Sequence, residues 1–284
     1  MSEIKPAQRH VDLGDAVIEY LDYESEGPPL LLLHATGFQA WLWHPVAREL
    51  IDSFRVIAPY ICDYRDADPE NGGLSWKQIA ADLVCFCEKL GLERPYVAGH
   101  SMGGAVSVIA AGALGLEVEK MVLIEPIILP GEFYSANINV EDHPLASKSI
   151  RRRNYWRNQK EARKYLESKP LFKIWDPQIL EFYIRHGMVE ADDGGVCLAC
   201  HPKQEASLFM GGMAFNPWLV IPKISCPVLV LEGEHTENKG FIDFKKQAKM
   251  FPNGRHQVVK GAGHLVPMEK PQDTALIISR FFEA

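Results

Sequence analysis

Residues 96–105, with the sequence YVAGHSMGGA, constrain the fold more than any other stretch of this chain. They predict a buried strand, a tight turn at Ser101 and a helix that follows directly. The spacing Gly99-x-Ser101-x-Gly103 lets the two backbones pass close together, because glycine has no side chain. The serine hydroxyl is then exposed at the tip of the turn, near the positive end of the helix. A strand–helix turn without chemistry has the same pattern, so other residues must decide between the two interpretations.

Apolar runs alternate with helical patterns on both sides of this stretch. The predicted strands are residues 11–13, 16–22, 30–33, 54–58, 95–98, 120–124, 227–231 and 257–259, and the predicted helices include 41–51, 75–90, 105–113, 242–250 and 272–282. Continuous apolar runs are typical of strands that are buried on both faces. The alternation therefore predicts an α/β fold with a mostly parallel, doubly wound sheet between two layers of helices.

The alternation fails between residues 131 and 215, where charged and aromatic residues are more frequent. Residues 145–166 and 177–186 have helical patterns, and the run Arg151-Arg152-Arg153 is predicted to be a solvated helix face. We expect no strong strand here and a turn at residues 192–195. The chain therefore divides into a core of residues 1–130 and 216–284 and a helical insertion of residues 131–215.

Composition excludes several classes of function. The net charge of −7 argues against a nucleic-acid-binding protein, which usually has a basic face. The longest apolar runs are too short to span a bilayer, and the polar first ten residues contain no secretory signal pattern. We therefore expect a cytoplasmic protein with reduced thiols that contacts neither nucleic acid nor membrane. Its oligomeric state stays open.

The segment from Cys197 to His201 matches the C-x-x-C-H pattern of covalent haem attachment. Haem attachment normally needs export, and a zinc site would need two further ligands at suitable spacing, which Cys85-x-Cys87 does not offer. We therefore expect these residues to pack a loop, without haem or metal.

Polar residues follow the predicted strands at positions where the carboxyl ends of parallel strands meet. They are residues 34–37, Ser101, Glu125, residues 232–237 and residues 261–264. Ligands and catalytic groups gather at this edge of an open parallel sheet. His264, in a glycine-flanked loop, can accept a proton near neutral pH and follows the serine in the chain. This convergence favours chemistry at Ser101 over a tight turn alone.

The chain resembles the α/β-hydrolase superfamily over nearly its whole length. The resemblance is carried by Gly99-His100-Ser101-Met102-Gly103-Gly104, by Gly261-x-Gly263-His264, and by His34-Ala35-Thr36-Gly37-Phe38, in which alanine replaces the first glycine of the family's oxyanion loop. The insertion resembles the family's helical cap. The resemblance implies a serine nucleophile and a histidine base, Ser101 and His264, and an oxyanion hole formed by backbone N–H groups of Thr36 and Met102. It also implies that substrate contacts His34, Phe38, His100 and Leu265, and that no metal or organic cofactor takes part.

Two carboxylates compete for the role of the acid that orients His264. In one common family pattern the acid follows the strand that here ends at residue 231, four residues after a glycine, which favours Glu237. Other members take the acid from the end of the preceding strand, where this chain has Glu125. We predict Glu237 and keep Glu125 as the alternative.

The predicted function is a serine hydrolase that cleaves a small, fairly apolar carboxylic ester through an acyl-enzyme. Its partner would be a small-molecule substrate. Carbon–carbon bond hydrolysis or a lyase-type reaction on the same triad is a second hypothesis. A small-molecule receptor with little turnover is a third.

Overall fold

The apolar runs form the strands of an eight-stranded sheet, as the sequence predicts. A computed structural model describes residues 4–62, 64–136 and 138–284. The strands in chain order are β1 (Ala7–Asp12), β2 (Val17–Asp22), β3 (Pro29–Leu33), β4 (Arg55–Pro59), β5 (Tyr96–His100), β6 (Met121–Ile124), β7 (Met188–Glu190), β8 (Val196–Leu198), β9 (Val228–Gly233) and β10 (Gly254–Val259). All but β7 and β8 belong to this sheet, in the order β1-β2-β4-β3-β5-β6-β9-β10.

The sheet is parallel except at one edge, where β2 pairs antiparallel with β1 and β4. Strand β3 has β4 on one side and β5 on the other, so the order of the strands reverses between β3 and β5. Open α/β sheets bind ligands at the carboxyl end of such a reversal. The loop after β3 and the turn after β5 lie at this point.

Helices cover both faces of the sheet. They are α1 (His44–Ala47), α2 (Trp76–Lys89), α3 (Met102–Leu114), α4 (Ala146–Ile150), α5 (Gln159–Glu167), α6 (Pro170–Lys173), α7 (Pro177–His186), α8 (Pro202–Gly211), α9 (Phe244–Met250), α10 (Val266–Glu269) and α11 (Pro271–Glu283). Within β3, Leu31 and Leu33 pack with α2, α3 and α9, whereas Leu30 and Leu32 pack with α1 and α11. This division follows from the two-residue period of a strand, and it confirms the predicted doubly wound α/β fold.

The insertion, residues 131–215, lies between β6 and β9 and contains helices α4 to α8. Two expectations for it were wrong. The pattern over residues 145–166 predicts one helix, but the structure divides it into α4 and α5, because Trp156 between them pairs with Val196 in an antiparallel bridge. The insertion also contains the antiparallel strands β7 and β8, whose three residues each are too few to show a two-residue period. The predicted turn joins them, with Gly194 at φ 81°.

The predicted helix over residues 41–51 is shorter in the structure. A 3₁₀ turn (Ala40–Trp43) precedes α1, which has Pro45 in its first turn. Proline fits the first turn of a helix but lacks the N–H that a continuous helix would need. Among the described residues, no helix has the length and apolar character needed to cross a membrane.

Candidate active site

Ser101 occupies a sharp turn between β5 and α3. Its backbone has φ 56°, a left-handed conformation that is uncommon for residues other than glycine. The Ser101 N–H donates to the Ile124 carbonyl at 2.9 Å, which ties the turn to the end of β6. A Cβ atom added to Gly99 would come within 2.6 Å of the Gly103 carbonyl oxygen. The glycine spacing therefore permits the close backbone approach that was inferred from the sequence.

Glu125 follows β6 directly and is fully buried. Its backbone is also left-handed, with φ 48°. One carboxylate oxygen, Oε1, accepts a hydrogen bond from the Gly233 N–H at 2.7 Å, and the other, Oε2, accepts one from the Thr236 hydroxyl at 2.8 Å. Because hydrogen bonds from N–H and O–H groups stabilise the ionised form, these contacts compensate for part of the cost of burying a carboxylate.

His264 links this carboxylate to the serine turn. Its Nδ1 lies 3.1 Å from Glu125 Oε2. Its backbone carbonyl accepts a hydrogen bond at 2.9 Å from Nε2 of His100, the residue before Ser101. The histidine side chain is partly exposed, with 29% of its surface accessible, whereas Glu125 is inaccessible. The structure therefore brings Glu125 and His264 together beside the turn that carries Ser101.

Glu237, the favoured candidate for the acid, lies elsewhere. It is exposed at the start of a 3₁₀ turn (Glu237–Gly240), and the side chain that reaches His264 from this turn belongs to Asn238. The Thr236 hydroxyl accepts a hydrogen bond from the Asn238 N–H at the start of this turn. In the turn, the side chain of Glu237 faces solvent and that of Asn238 faces His264. The expectation that Glu237 contacts His264 was wrong, and the alternative candidate, Glu125, makes this contact.

The two residues predicted to supply oxyanion N–H groups lie at the ends of adjacent strands. Thr36 belongs to the loop after β3, which turns back through a hydrogen bond from the Phe38 N–H to the Ala35 carbonyl at 3.2 Å. Met102 is the first residue of α3, where a backbone N–H has no acceptor within the helix. Their role at an oxyanion stays a prediction.

His34 has a different role from the predicted substrate contact. It is buried, its Nδ1 donates to the Ala35 carbonyl at 2.9 Å, and its Nε2 accepts from the Ile61 N–H at 2.9 Å. Burial lowers the pKa of the ring to about 4, which keeps it neutral. Both ring nitrogens are therefore used inside the protein, and His34 connects the loop after β3 to the chain after β4.

His100 is also fully buried, and its pKa lies well below the ordinary value because of burial and the neighbouring His264. Its Nε2 donates to the His264 carbonyl, while its buried Nδ1 has no hydrogen-bond partner among the residues that the structure describes. A substrate contact by His100 stays a prediction.

Phe38 and Leu265 join the insertion to the rest of the site. Both pack in an apolar cluster with aromatic residues of the insertion. The Phe38 ring lies 5.4 Å from the ring of Trp175 and 6.1 Å from that of Tyr183, measured between centroids. The insertion therefore packs against both the loop after β3 and the loop that carries His264.

A partly buried ion pair, which the sequence did not predict, lies against the loop after β3. Arg152, predicted to be on a solvated helix face, contacts Glu205 of α8 with Nη1 and Oε2 2.6 Å apart. The Glu205 carboxylate occupies the space that a side chain on Gly37 would need. The balance of charges around residues 151–153 predicted a solvated helix face, and it contained no information about the partial burial of Arg152.

The C-x-x-C-H segment has a structural role in the fold. Cys197 lies in β8, Cys200 is buried, and His201 begins α8, where its Nδ1 accepts a hydrogen bond from the Lys203 N–H at 3.2 Å. Among the described residues, no group of three or more His, Cys, Asp or Glu side chains could hold a metal ion.

Comparison with known proteins identifies the family of this chain. The sequence profile of the "Alpha/beta hydrolase family" matches residues 30–275. The chain belongs to this family. A relative from Alternaria alternata, "Abhydrolase domain-containing protein AFT2-1", is 27% identical over 228 residues, which cover 68% of this chain and 84% of the relative.

Solved structures show the same hydrolase fold. E-2-(acetamidomethylene)succinate hydrolase superposes with a TM-score of 0.82 at 21% identity, covering 98% of this chain and 100% of that one. An esterase from Thermogutta terrifontis superposes with a TM-score of 0.71 at 22% identity, covering 98% of each chain. At these identities the likeness concerns the fold.

Proposed function

We propose that the protein is a serine hydrolase that cleaves a small, fairly apolar carboxylic ester, with Ser101 as nucleophile, His264 as base and Glu125 as acid. The observation that carries this proposal is the contact of His264 Nδ1 with the buried Glu125 carboxylate, beside the left-handed turn at Ser101. A nucleophile, a base and a group that orients the base are the three parts of a catalytic triad.

The reaction follows from these parts. His264 Nε2 accepts the Ser101 proton while Oγ attacks the ester carbonyl, and Glu125 stabilises the resulting imidazolium. Backbone N–H groups of Met102 and Thr36 donate to the oxyanion, each contributing about 3 kcal/mol to transition-state stabilisation. The imidazolium then protonates the leaving alcohol. Water, deprotonated by His264, hydrolyses the acyl-enzyme and regenerates Ser101.

We further propose that the insertion acts as a cap that shapes the substrate pocket. Its aromatic side chains pack on Phe38 and Leu265, next to the residues assigned to the oxyanion and the base. An apolar surface at this position favours an acyl or alcohol group of low polarity. The substrate contacts expected of Phe38 and Leu265 are part of this proposal.

Hydrolysis of p-nitrophenyl acetate, butyrate and octanoate by the wild type and by Ser101→Ala tests the proposed function. We expect turnover by the wild type and a loss of at least about a thousandfold in the variant. Ser168→Ala, at an exposed position in the insertion, is the matched control and should retain full activity. Labelling of Ser101 by a fluorophosphonate locates the nucleophile independently of the substrate.

Two results would contradict the proposal. Equal turnover by the wild type and Ser101→Ala would exclude Ser101 as the nucleophile. Labelling of Ser101 with hydrolysis of a vinylogous diketo acid, but of no ester, would instead support carbon–carbon bond hydrolysis by the same residues.

A further inference from the structure

The carboxylate of Glu269 bonds to the backbone on both sides of His264. Its Oε2 accepts a hydrogen bond from the Gly263 N–H at 2.7 Å, and its Oε1 accepts one from the Leu265 N–H at 3.1 Å. Gly263 and Leu265 are the residues directly before and after the histidine. A single side chain is therefore bonded to both neighbours of the proposed base.

The local sequence explains how this carboxylate reaches the histidine loop. Helix α10 begins two residues after His264, has Pro267 in its first turn and ends at Glu269. The Glu269 N–H donates to the Leu265 carbonyl at 2.9 Å, while the Glu269 side chain returns to the Leu265 N–H, an arrangement similar to a capping box. Gly263 leaves room for the side chain, because a Cβ atom at Gly263 would lie only 3.1 Å from Glu269 Oε1.

A third contact holds the carbonyl of His264. This oxygen accepts a hydrogen bond at 2.9 Å from Nε2 of His100, the residue before Ser101. The peptide group between His264 and Leu265 is thus bonded at both ends, to His100 through its carbonyl and to Glu269 through its N–H. Side chains from two different elements therefore fix the backbone from which the histidine ring extends.

The position of this backbone matters because the ring has to meet two partners at once. Nδ1 of His264 lies 3.1 Å from the Glu125 carboxylate, and Nε2 has to reach the Ser101 hydroxyl. Rotation of the side chain cannot restore both contacts after the Cα atom has moved. A displacement of about 1 Å can lower the rate of a reaction by about a hundredfold. Contacts that fix the backbone of His264 should therefore support proton transfer more than substrate binding.

We propose that Glu269 is a positioning residue, whose two carboxylate oxygens hold the backbone of His264 so that the ring meets the acid and the nucleophile together. This inference rests on the proposed roles of Ser101 and His264. A carboxylate suits this task because both of its oxygens accept hydrogen bonds, whereas an amide has one oxygen and an NH₂ group. Glu269→Gln keeps the size of the side chain but leaves one of the two N–H groups facing another donor.

The first measurement is spectroscopic and needs no substrate. Nitrogen-15 NMR of protein labelled in its histidine rings reports the hydrogen bond at Nδ1 of His264, with the signals assigned by their loss in His264→Gln. We expect the Nδ1 signal in Glu269→Gln to differ from that in the wild type, because the ring is less well aligned with Glu125. The same Nδ1 signal in both proteins would overturn the proposal.

A second variant separates position from charge. Gly263→Ala keeps the carboxylate, but the new Cβ atom presses on Glu269 Oε1 and displaces it. The Nδ1 signal of His264 should then move in the same direction as in Glu269→Gln, by a smaller amount. A change in Glu269→Gln alone would assign the effect to charge and would also overturn the proposal.

Glu234→Gln is the matched control for both measurements. The Glu234 carboxylate accepts a hydrogen bond from the Gly261 N–H at 2.9 Å, in the same loop but three residues before His264. The variant therefore removes an equal charge and a similar backbone contact, without touching the neighbours of the histidine. The Nδ1 signal of His264 should be unchanged.

The second measurement separates kcat from KM in ester hydrolysis. We expect Glu269→Gln to lower kcat by about tenfold or more and to change KM by less than about threefold, since binding the ester requires no aligned proton transfer. Gly263→Ala should lower kcat by about threefold. Glu234→Gln should keep the kcat of the wild type. A loss in Glu234→Gln as large as that in Glu269→Gln would contradict a specific role for Glu269.

Failure of this inference can be distinguished from failure of the proposed function. If the wild type and Ser101→Ala have equal turnover, the proposed function fails, and the NMR measurement still tests the position of the ring. If the wild type is active but Glu269→Gln has the same kcat, the positioning role fails and the proposed function stands. Circular dichroism and thermal unfolding establish that each variant is folded. If Glu269→Gln does not fold, Gly263→Ala decides by the same two measurements.

Discussion

Ser101 and Glu125 follow adjacent parallel strands, and both hold their backbones in the left-handed region, with φ 56° and 48°. The Ser101 N–H bonds to the last residue of β6, and the Glu125 N–H bonds to Leu231 of β9 at 2.8 Å. Each turn is thus tied to the neighbouring strand. Because a left-handed residue other than glycine is disfavoured, the sheet holds both side chains in orientations that a free loop would not keep.

The first prediction concerns the strain at Ser101. Ser101→Ala removes the hydroxyl and keeps the unfavourable φ, whereas Ser101→Gly also relieves the strain at that position. We expect both variants to be inactive and Ser101→Gly to be more stable than Ser101→Ala by about 1 kcal/mol. Urea unfolding at equal protein concentration measures the difference. Equal stability would show that the turn stores no strain.

The second prediction concerns the hydroxyl that supports the acid. Thr236→Val keeps the shape of the side chain but removes the hydrogen bond to Glu125 Oε2. A buried carboxylate that loses a donor is less well stabilised, and this cost is about 1–3 kcal/mol. If half of that cost appears in the transition state, we expect kcat to fall by about two- to tenfold, with KM nearly unchanged. Thr236→Ser retains the hydroxyl and should keep most of the activity. A similar loss in both variants would assign the effect to packing.

The sheet could be predicted because its cause is local. An apolar run such as β3 is buried on both faces in any parallel sheet, and the residues that follow such runs necessarily meet at one edge. The same argument placed Glu125 among the candidates, since an ionisable residue directly follows the four buried residues of β6.

The carboxylate that contacts His264 could not be predicted from local sequence patterns. Spacing after β9 favoured Glu237, but the direction of each side chain depends on the 3₁₀ turn that Thr236 starts. Successive side chains of a 3₁₀ helix differ in direction by about 120°. The Glu237 carboxylate is therefore exposed, whereas the amide of the next residue, Asn238, contacts the His264 ring. The partial burial of Arg152 likewise depends on α8, which follows it by some fifty residues in the chain.

The third prediction is a loss of stability in mild acid. His34 is buried and neutral, with a pKa near 4 against an ordinary value of 6.5. Below pH 6.5 the unfolded chain binds a proton that the folded protein does not, so stability is fully present above that pH and is lost as the pH falls toward 4. This one residue should account for a loss of about 2 kcal/mol between pH 7 and pH 5.

Urea unfolding of the wild type and of His34→Gln at both pH values measures this contribution. Glutamine can replace the donor and the acceptor but does not titrate, so the variant should show a pH dependence smaller by that amount. The same pH dependence in both proteins would contradict the assignment to His34.

The last prediction concerns the charge next to the loop after β3. Glu205 lies against Gly37, beside the N–H group that we assign to the oxyanion, and Arg152 neutralises it. Arg152→Met leaves the carboxylate without its partner in a largely buried position, which should destabilise the fold by about 3 kcal/mol. The unpaired negative charge should also oppose the developing oxyanion and lower kcat about tenfold or more.

The double variant Arg152→Met/Glu205→Gln removes both charges and should recover most of the lost stability and kcat, so the two substitutions should be strongly non-additive. The control is the more exposed pair Arg163–Glu181, where Arg163→Met should change stability by less than about 1 kcal/mol and leave kcat unchanged. Stopped-assay kinetics and urea unfolding of the wild type, Arg152→Met, Glu205→Gln and the double variant complete the cycle. If the double variant is as impaired as Arg152→Met, the arginine acts through its packing, and the charge of Glu205 does not influence the oxyanion.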